Sequence, residues 1–225
     1  MSDALIRTMR PLAAAWSNFC YRPEFVGVEN VPANGPIILT PNHVTYLDPM
    51  WISLPIERRI YYMAWDALFR FQPVSGVLRM FGAFPVRLEG HDRGAMREAK
   101  CHLGSGRALM IFPEGGRTTT GKLMPFKAGA FRLALTTGAS VVPVTITDAH
   151  DIWPAGTIFP RMFGRIRIIY HPPIPVAARG PETDATELRH LARELADSAR
   201  DTVASALDPS RVGGRTPPPS LPIRV

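Results

Sequence analysis

Two short stretches hold the residue types that can move a proton and seat an anion. The first is Asn42-His43-Val44-Thr45-Tyr46-Leu47-Asp48. Histidine titrates closest to neutral pH, so it can take a proton and return it. A carboxylate beside it can hold one imidazole nitrogen and leave the other to act as a base. His43 and Asp48 are five positions apart. On an unbroken helix that is about 140° of rotation at 3.6 residues per turn, and the two side chains would diverge. A proton-relay pair here therefore needs a bent loop. The same residues also read as a structural histidine followed by a helix-capping aspartate.

The second stretch is Phe112-Pro113-Glu114-Gly115-Gly116-Arg117-Thr118. Gly115 and Gly116 let backbone N–H groups approach an anion closely. Arg117 adds a planar fork that matches phosphate oxygens. Glu114 could orient that arginine or accept from a substrate hydroxyl. The plainer reading is a Gly-rich turn with a surface salt bridge. The run from Gly116 to Leu123 comes near a nucleotide-binding P-loop. However, Leu123 stands where a magnesium-holding Ser or Thr is needed, and Pro125 stands where the helix should begin. The chain has no G-x-S-x-G nucleophile elbow and no His pair at zincin spacing. Its scattered basic residues form no recognisable nucleic-acid module.

Both stretches follow apolar runs that read as strands. Ile37-Ile38-Leu39 leaves a turn at Gly35-Pro36 and stops at Pro41. Pro49 suits the first position of a helix, which places Asp48 outside it as the N-cap. Ala108-Leu109-Met110-Ile111-Phe112 is continuously apolar, as a central buried strand requires. A strand and turn are expected at 25–31, and further strands at 59–64, 83–86, 140–146 and 165–170. Helices are expected at 4–20, 92–103 (ended by Gly104), 126–137 (ended by Gly138) and 184–207. An apolar helix-like stretch covers 66–80, broken at Pro73; it could form a lipid-contacting surface, although burial against the sheet is the commoner fate of such a pattern. Strands and helices alternate. That argues for a single α/β domain with a largely parallel central sheet flanked by helices, and sites at the carboxyl ends of strands. The division is 1–23 as an amphipathic N-terminal helix, 24–208 as the domain, and 209–225 as a Pro-rich disordered tail. The N-terminal helix would cover the core or lie on a bilayer as an anchor.

The 225 residues suffice for one sizeable core, and 46% are hydrophobic. A net charge of +7 favours anionic partners: lipid head groups, phosphorylated substrates or nucleic acid. No apolar run is long enough for a transmembrane helix, and the N-terminus lacks a signal-peptide pattern. Cys20 and Cys101 are far apart and lack metal spacing, so a reducing compartment is the simpler reading.

Taken together, the two loops resemble the glycerolipid acyltransferase family of the 1-acylglycerol-3-phosphate acyltransferase type. Asn42-His43 with Asp48 matches its N-H-x4-D box. Phe112 to Arg117 matches its F-P-E-G-T-R box, with Gly116 in the threonine position. Val142-Pro143-Val144 matches its later V-P-V box. Gly82-Ala83-Phe84-Pro85-Val86-Arg87 is similar to its G-x-F-P-V-x-R box, although the family arginine aligns with Leu88; Arg87 or Arg93 would have to supply that contact. The likeness runs from about residue 24 to residue 176. It implies the glycerolipid acyltransferase fold, with His43 as general base on an acceptor hydroxyl and Asp48 holding its tautomer. It implies that Asn42, Glu114, Gly115, Gly116 and Arg117 bind the acceptor, with Arg87 a further candidate for its phosphate. The hydroxyl would attack an acyl thioester directly, of coenzyme A or acyl carrier protein, with no metal and no redox cofactor. The partners implied are a lysophospholipid acceptor and membrane lipids, with no nucleic acid. The protein would sit peripherally on the cytoplasmic side. Other expectations remain open: a different acceptor (glycerol 3-phosphate, another lysophospholipid or an amino-acid-linked lipid), or a non-catalytic module that binds anionic lipid.

Overall fold

A computed structural model describes residues 3–87, 92–154, 157 and 159–214. The chain opens with helix α1 (Asp3–Tyr21) and the short strand β1 (Glu24–Val26). Strand β2 (Ile37–Pro41) leads into helix α2 (Asp48–Ser53) and strand β3 (Ile60–Trp65). Helix α3 (Gln72–Met80), strand β4 (Ala83–Val86) and helix α4 (Arg93–Gly104) follow. Strand β5 (Ala108–Met110), helix α5 (Gly129–Thr137), strand β6 (Ser140–Thr147), strand β7 (Arg167–Tyr170) and helix α6 (Ala185–Ser205) complete it.

The strands form one seven-stranded sheet in the order β1-β7-β6-β2-β5-β3-β4. The five strands from β6 to β4 run parallel; β7 turns back against β6, and β1 follows β7. β2 lies between β6 and β5. Its register places Leu39 opposite Val142 on one side and Met110 on the other. β2 and β5 therefore end at the same height on adjacent strands. The Ile111 N–H still donates to the Leu39 carbonyl at 3.0 Å. The loops that leave these two ends are obliged to start side by side.

The central strands are buried on both faces, which is why they read as unbroken apolar runs. Successive side chains serve opposite layers. Ile38, Leu109 and Val141 pack with Leu103 of α4, Phe131 of α5 and Ala199 of α6. Ile37, Leu39, Met110, Val142 and Val144 pack with Tyr21 of α1 and Trp51 and Ile52 of α2. Tyr170 crosses this second layer, and its hydroxyl donates to the Ile52 carbonyl at 2.6 Å.

Several sequence expectations are corrected. Pro73 opens α3 rather than breaking a helix, because a 3-10 turn (Asp66–Phe69) precedes it. Phe71 and Val77 face solvent instead of the sheet. α4 runs through Gly104, and the left-handed turn falls on Gly106 at φ 70°. Residues 209–214 are not free tail: Pro209–Arg211 forms a 3-10 turn, Val212 bridges Leu123, and the buried Arg200 donates to the Gly213 carbonyl at 2.6 Å. Residues 215–225 lie outside the described residues. α1 both covers and exposes: Ser17, Cys20 and Tyr21 are buried, whereas Met9, Leu12, Trp16 and Phe19 form an exposed apolar line. No described helix is long and apolar enough to cross a membrane.

This layering sets a contrast in stability. Leu109→Ala, at 0% exposure in the central strand, should cost about 2–5 kcal/mol through lost contacts and the cavity left behind. Leu12→Ala, at 63% exposure on α1, should stay within about 0.5 kcal/mol. Urea unfolding of the two variants checks the difference.

Candidate active site

The loop after β2 folds back on the first residue of α2. Asp48 is that first residue, not the N-cap; Leu47 occupies the N-cap with helical torsions and no side-chain bond. Asp48 therefore points backward into the loop rather than forward onto the helix. Its Oδ2 accepts from the Val44 N–H at 2.7 Å and the Thr45 N–H at 2.9 Å. Its Oδ1 accepts from the Thr45 hydroxyl at 2.6 Å. The His43 Nδ1 lies 2.9 Å from the same Oδ2. The carboxylate is fully buried, and burial of a charge is tolerated only with this many donors around it. The two backbone N–H groups can only donate, so Oδ2 is an acceptor, and Nδ1 carries the proton that reaches it. Nε2 then holds the free lone pair. Among the described residues it has no hydrogen-bond partner.

The loop after β5 docks onto this bend at four points. The His43 N–H donates to Glu114 Oε1 at 2.7 Å. The Thr118 N–H donates to the His43 carbonyl at 2.9 Å. The Phe112 ring stacks on the His43 imidazole, with centroids 3.9 Å apart. The Arg117 guanidinium carbon sits 3.4 Å from the centre of the Tyr46 ring. The arginine loop and the imidazole thus share one corner of the molecule.

The proposed acceptor residues divide. Gly115 adopts φ 78°, and a Cβ there would lie 2.2 Å from Lys127 Nζ, so only glycine lets the lysine lie across the loop. Gly116 has nothing within 4 Å of a Cβ and would accept a side chain. Arg117 keeps its Nη1 buried without a hydrogen-bond partner. Glu114 does not pair with Arg117. Its Oε2 accepts from the Met124 N–H at 2.9 Å, so both oxygens are committed to backbone. Asn42 is likewise turned inward. Its amide donates to the Ile146 carbonyl at 3.0 Å and accepts from the Ile146 N–H at 2.7 Å, which extends the β2–β6 pairing past Pro41. Arg87 is 69% exposed, with its Nε 3.5 Å from Asp92. It lies on the same sheet edge, but β4 is three strands from β2, a separation of about 14 Å at normal strand spacing. Leu88 lies outside the described residues.

Sequence reasoning missed four contributors. Thr45 and Thr118 act through short local bonds that any threonine can make. Lys127 and Tyr46 sit in segments read as helix start and loop filler, and only the docking of two loops gives them a role. Among the described residues no group of three His, Cys, Asp or Glu side chains could hold a metal ion. Burial pushes the Glu114 carboxyl up to about 8. The two N–H donors oppose that rise, the nearby Asp48 adds to it, and Arg200 opposes it.

A sequence model of the Acyltransferase family matches residues 22–147. A chloroplastic 1-acyl-sn-glycerol-3-phosphate acyltransferase of Brassica napus is 27% identical over 204 residues, covering 88% of this chain and 55% of that protein. A 1-acyl-sn-glycerol-3-phosphate acyltransferase of Borreliella burgdorferi is 31% identical over 135 residues, covering 59% of this chain and 54% of that one. The chain thus spans about half the length of the curated relatives it matches. The crystal structure of the 1-acyl-sn-glycerophosphate acyltransferase PlsC from Thermotoga maritima superposes with a TM-score of 0.67 at 24% identity, covering 90% of this chain and 80% of that one. At that identity the superposition establishes a shared fold.

The Glu114 carboxyl makes a pH-dependent prediction. Its folded value lies above its unfolded value of 4.5, so the folded state holds the proton more tightly. The stability it contributes is present below about pH 4.5 and is lost as pH rises to about 8. Between pH 5 and 8, wild type should lose melting temperature relative to Glu114→Gln. A difference independent of pH would mean that Glu114 titrates as an ordinary carboxyl.

Proposed function

Since the chain belongs to the acyltransferase family, we propose that it moves a fatty acyl group from a thioester to the hydroxyl of 1-acylglycerol 3-phosphate. The observation that carries this reading is the His43–Asp48 contact of 2.9 Å within one loop bend, with Arg117 docked on the same bend. The acceptor hydroxyl gives its proton to His43 Nε2 as its oxygen attacks the thioester carbonyl. Asp48 stabilises the imidazolium that results. The tetrahedral intermediate collapses, the C–S bond breaks, and the leaving thiolate takes the proton back from His43. The products are an acylated glycerol phosphate and a free thiol. A thioester is already activated, so the step needs no metal or redox cofactor, and a coenzyme A or acyl carrier protein thioester fits equally. Arg117 and Lys127 would hold the acceptor phosphate. Arg87 would reach only a more distant part of the substrate.

One observation favours a different acceptor. The space beside Gly116 is open, which leaves room for a bulkier head group than a bare phosphate. A bilayer is the natural source of either acceptor. The exposed line Met9, Leu12, Trp16 and Phe19 on α1 would lie against it, with no membrane span required.

Release of free thiol from an acyl thioester plus lysophosphatidate tests the activity. His43→Ala should lower turnover by about 10²–10⁴-fold, the usual worth of a general base. Wild type inert with every acceptor would favour a non-catalytic lipid-binding module instead. Separately, Trp16→Ser combined with Phe19→Ser should weaken binding to anionic vesicles while leaving the fold intact by circular dichroism. Unaltered vesicle binding would remove α1 as the anchor.

A further inference from the structure

Arg117 reaches its place by resting on an aromatic ring. Its guanidinium carbon is 3.4 Å from the Tyr46 ring centre. A guanidinium standing on edge at that height would drive its nitrogens into the ring, so the two planes face each other. Its N–H groups then lie parallel to the ring and leave sideways. Nη1 is buried and has no hydrogen-bond partner. Tyr46 is itself supported. Trp153 meets it edge-to-face with centroids 5.2 Å apart, and the Trp153 indole N–H donates to the Thr157 carbonyl at 3.1 Å. Tyr46 is also 53% exposed, so its ring is not simply core filling.

The geometry points to Tyr46 as a positioning residue: its ring holds the Arg117 guanidinium flat and sets the direction in which its N–H groups meet an anionic oxygen of the acceptor, and Trp153 steadies the ring. This deepens the proposed function and rests on it for the identity of the anion. Without the ring, the arginine regains its rotamers and must be ordered again each time an acceptor binds. The expected loss is therefore in acceptor binding and not in the proton transfer at His43. The ring face does the work, so a phenylalanine should suffice.

Steady-state kinetics with varied lysophosphatidate and saturating acyl thioester test this. Tyr46→Leu should raise the acceptor KM by about three- to thirtyfold, the range expected of a guanidinium–ring contact. Its kcat and donor KM should stay within about twofold of wild type. Tyr46→Phe should restore the wild-type KM. In an Arg117→Ala background, Tyr46→Leu should add nothing, because the contact is already gone. Additive losses in that double variant, or a fall in kcat at unchanged acceptor KM, would overturn the assignment. A second readout does not depend on turnover. In NMR of arginine-labelled protein, the Tyr46 ring current should shift the Arg117 side-chain signals, and Tyr46→Leu should abolish that shift. Titrated inorganic phosphate should perturb those signals in wild type at lower concentration than in Tyr46→Leu. If this holds while no phosphorylated acceptor turns over, the acceptor reading falls and the positioning role stands. Equal phosphate response in both proteins, or no ring-current shift, refutes the positioning role.

Discussion

A buried carboxylate must be surrounded by donors, and Asp48 meets that demand within six residues of chain. Four donors from residues 43–45 converge on its two oxygens. No extended or helical path through 43–48 could bring them there. Satisfying one charge thus bends the loop, fixes which imidazole nitrogen carries hydrogen, and turns the other nitrogen outward. The His43 ring does not have to be placed separately, because its geometry follows from the desolvation cost of its neighbour.

The second loop depends on that bend as its template. The N–H and carbonyl of His43 are both used by the 112–118 segment, through Glu114 and Thr118. Glu114 then relays the constraint to Met124, whose carbonyl is held by the Arg200 Nε at 3.1 Å. A continuous line of hydrogen bonds therefore runs from α6, through the back of the 112–118 loop, to the 43–48 bend. It leaves Arg117 and Lys127 as the cations of the front side. Asn42, Glu114 and Arg200 are spent on backbone groups of the frame, whereas His43 Nε2 and Arg117 Nη1 have no hydrogen-bond partner among the described residues. Sequence proximity mixes the two sets, since Asn42 adjoins His43 and Glu114 lies three residues before Arg117.

The exposed apolar line on α1 continues across the chain. Phe19 meets Phe163 edge-to-face at 6.0 Å, and Phe159 and Met162 are exposed nearby in sequence. Arg161 and Arg165 are exposed in the same segment. Apolar side chains flanked by arginines are the pattern that an anionic bilayer surface favours. The 159–163 segment has neither helical nor strand periodicity, so its share in this surface was not legible in the sequence.

What the sequence determined by itself were the features that depend on neighbours along the chain. The unbroken apolar runs at 37–39 and 108–112 pointed to buried strands, because water-facing strands alternate, although the second strand ends at Met110. The alternation of strands and helices required parallel crossovers, and these put the ends of β2 and β5 on one edge. The chemical types at 42–48 and 112–118 were likewise plain. What tertiary structure alone decided was the direction in which each polar side chain looks. Asn42, Glu114 and Arg117 all carry hydrogen-bonding heads that could face substrate. The first two are consumed by backbone groups, Asn42 at Ile146, 104 residues away, and Glu114 at His43, 71 residues away. Arg117 is held by a ring on the other loop. A polar side chain goes to whichever partner most reduces the cost of its burial, and those partners become neighbours only once the sheet has brought distant segments together.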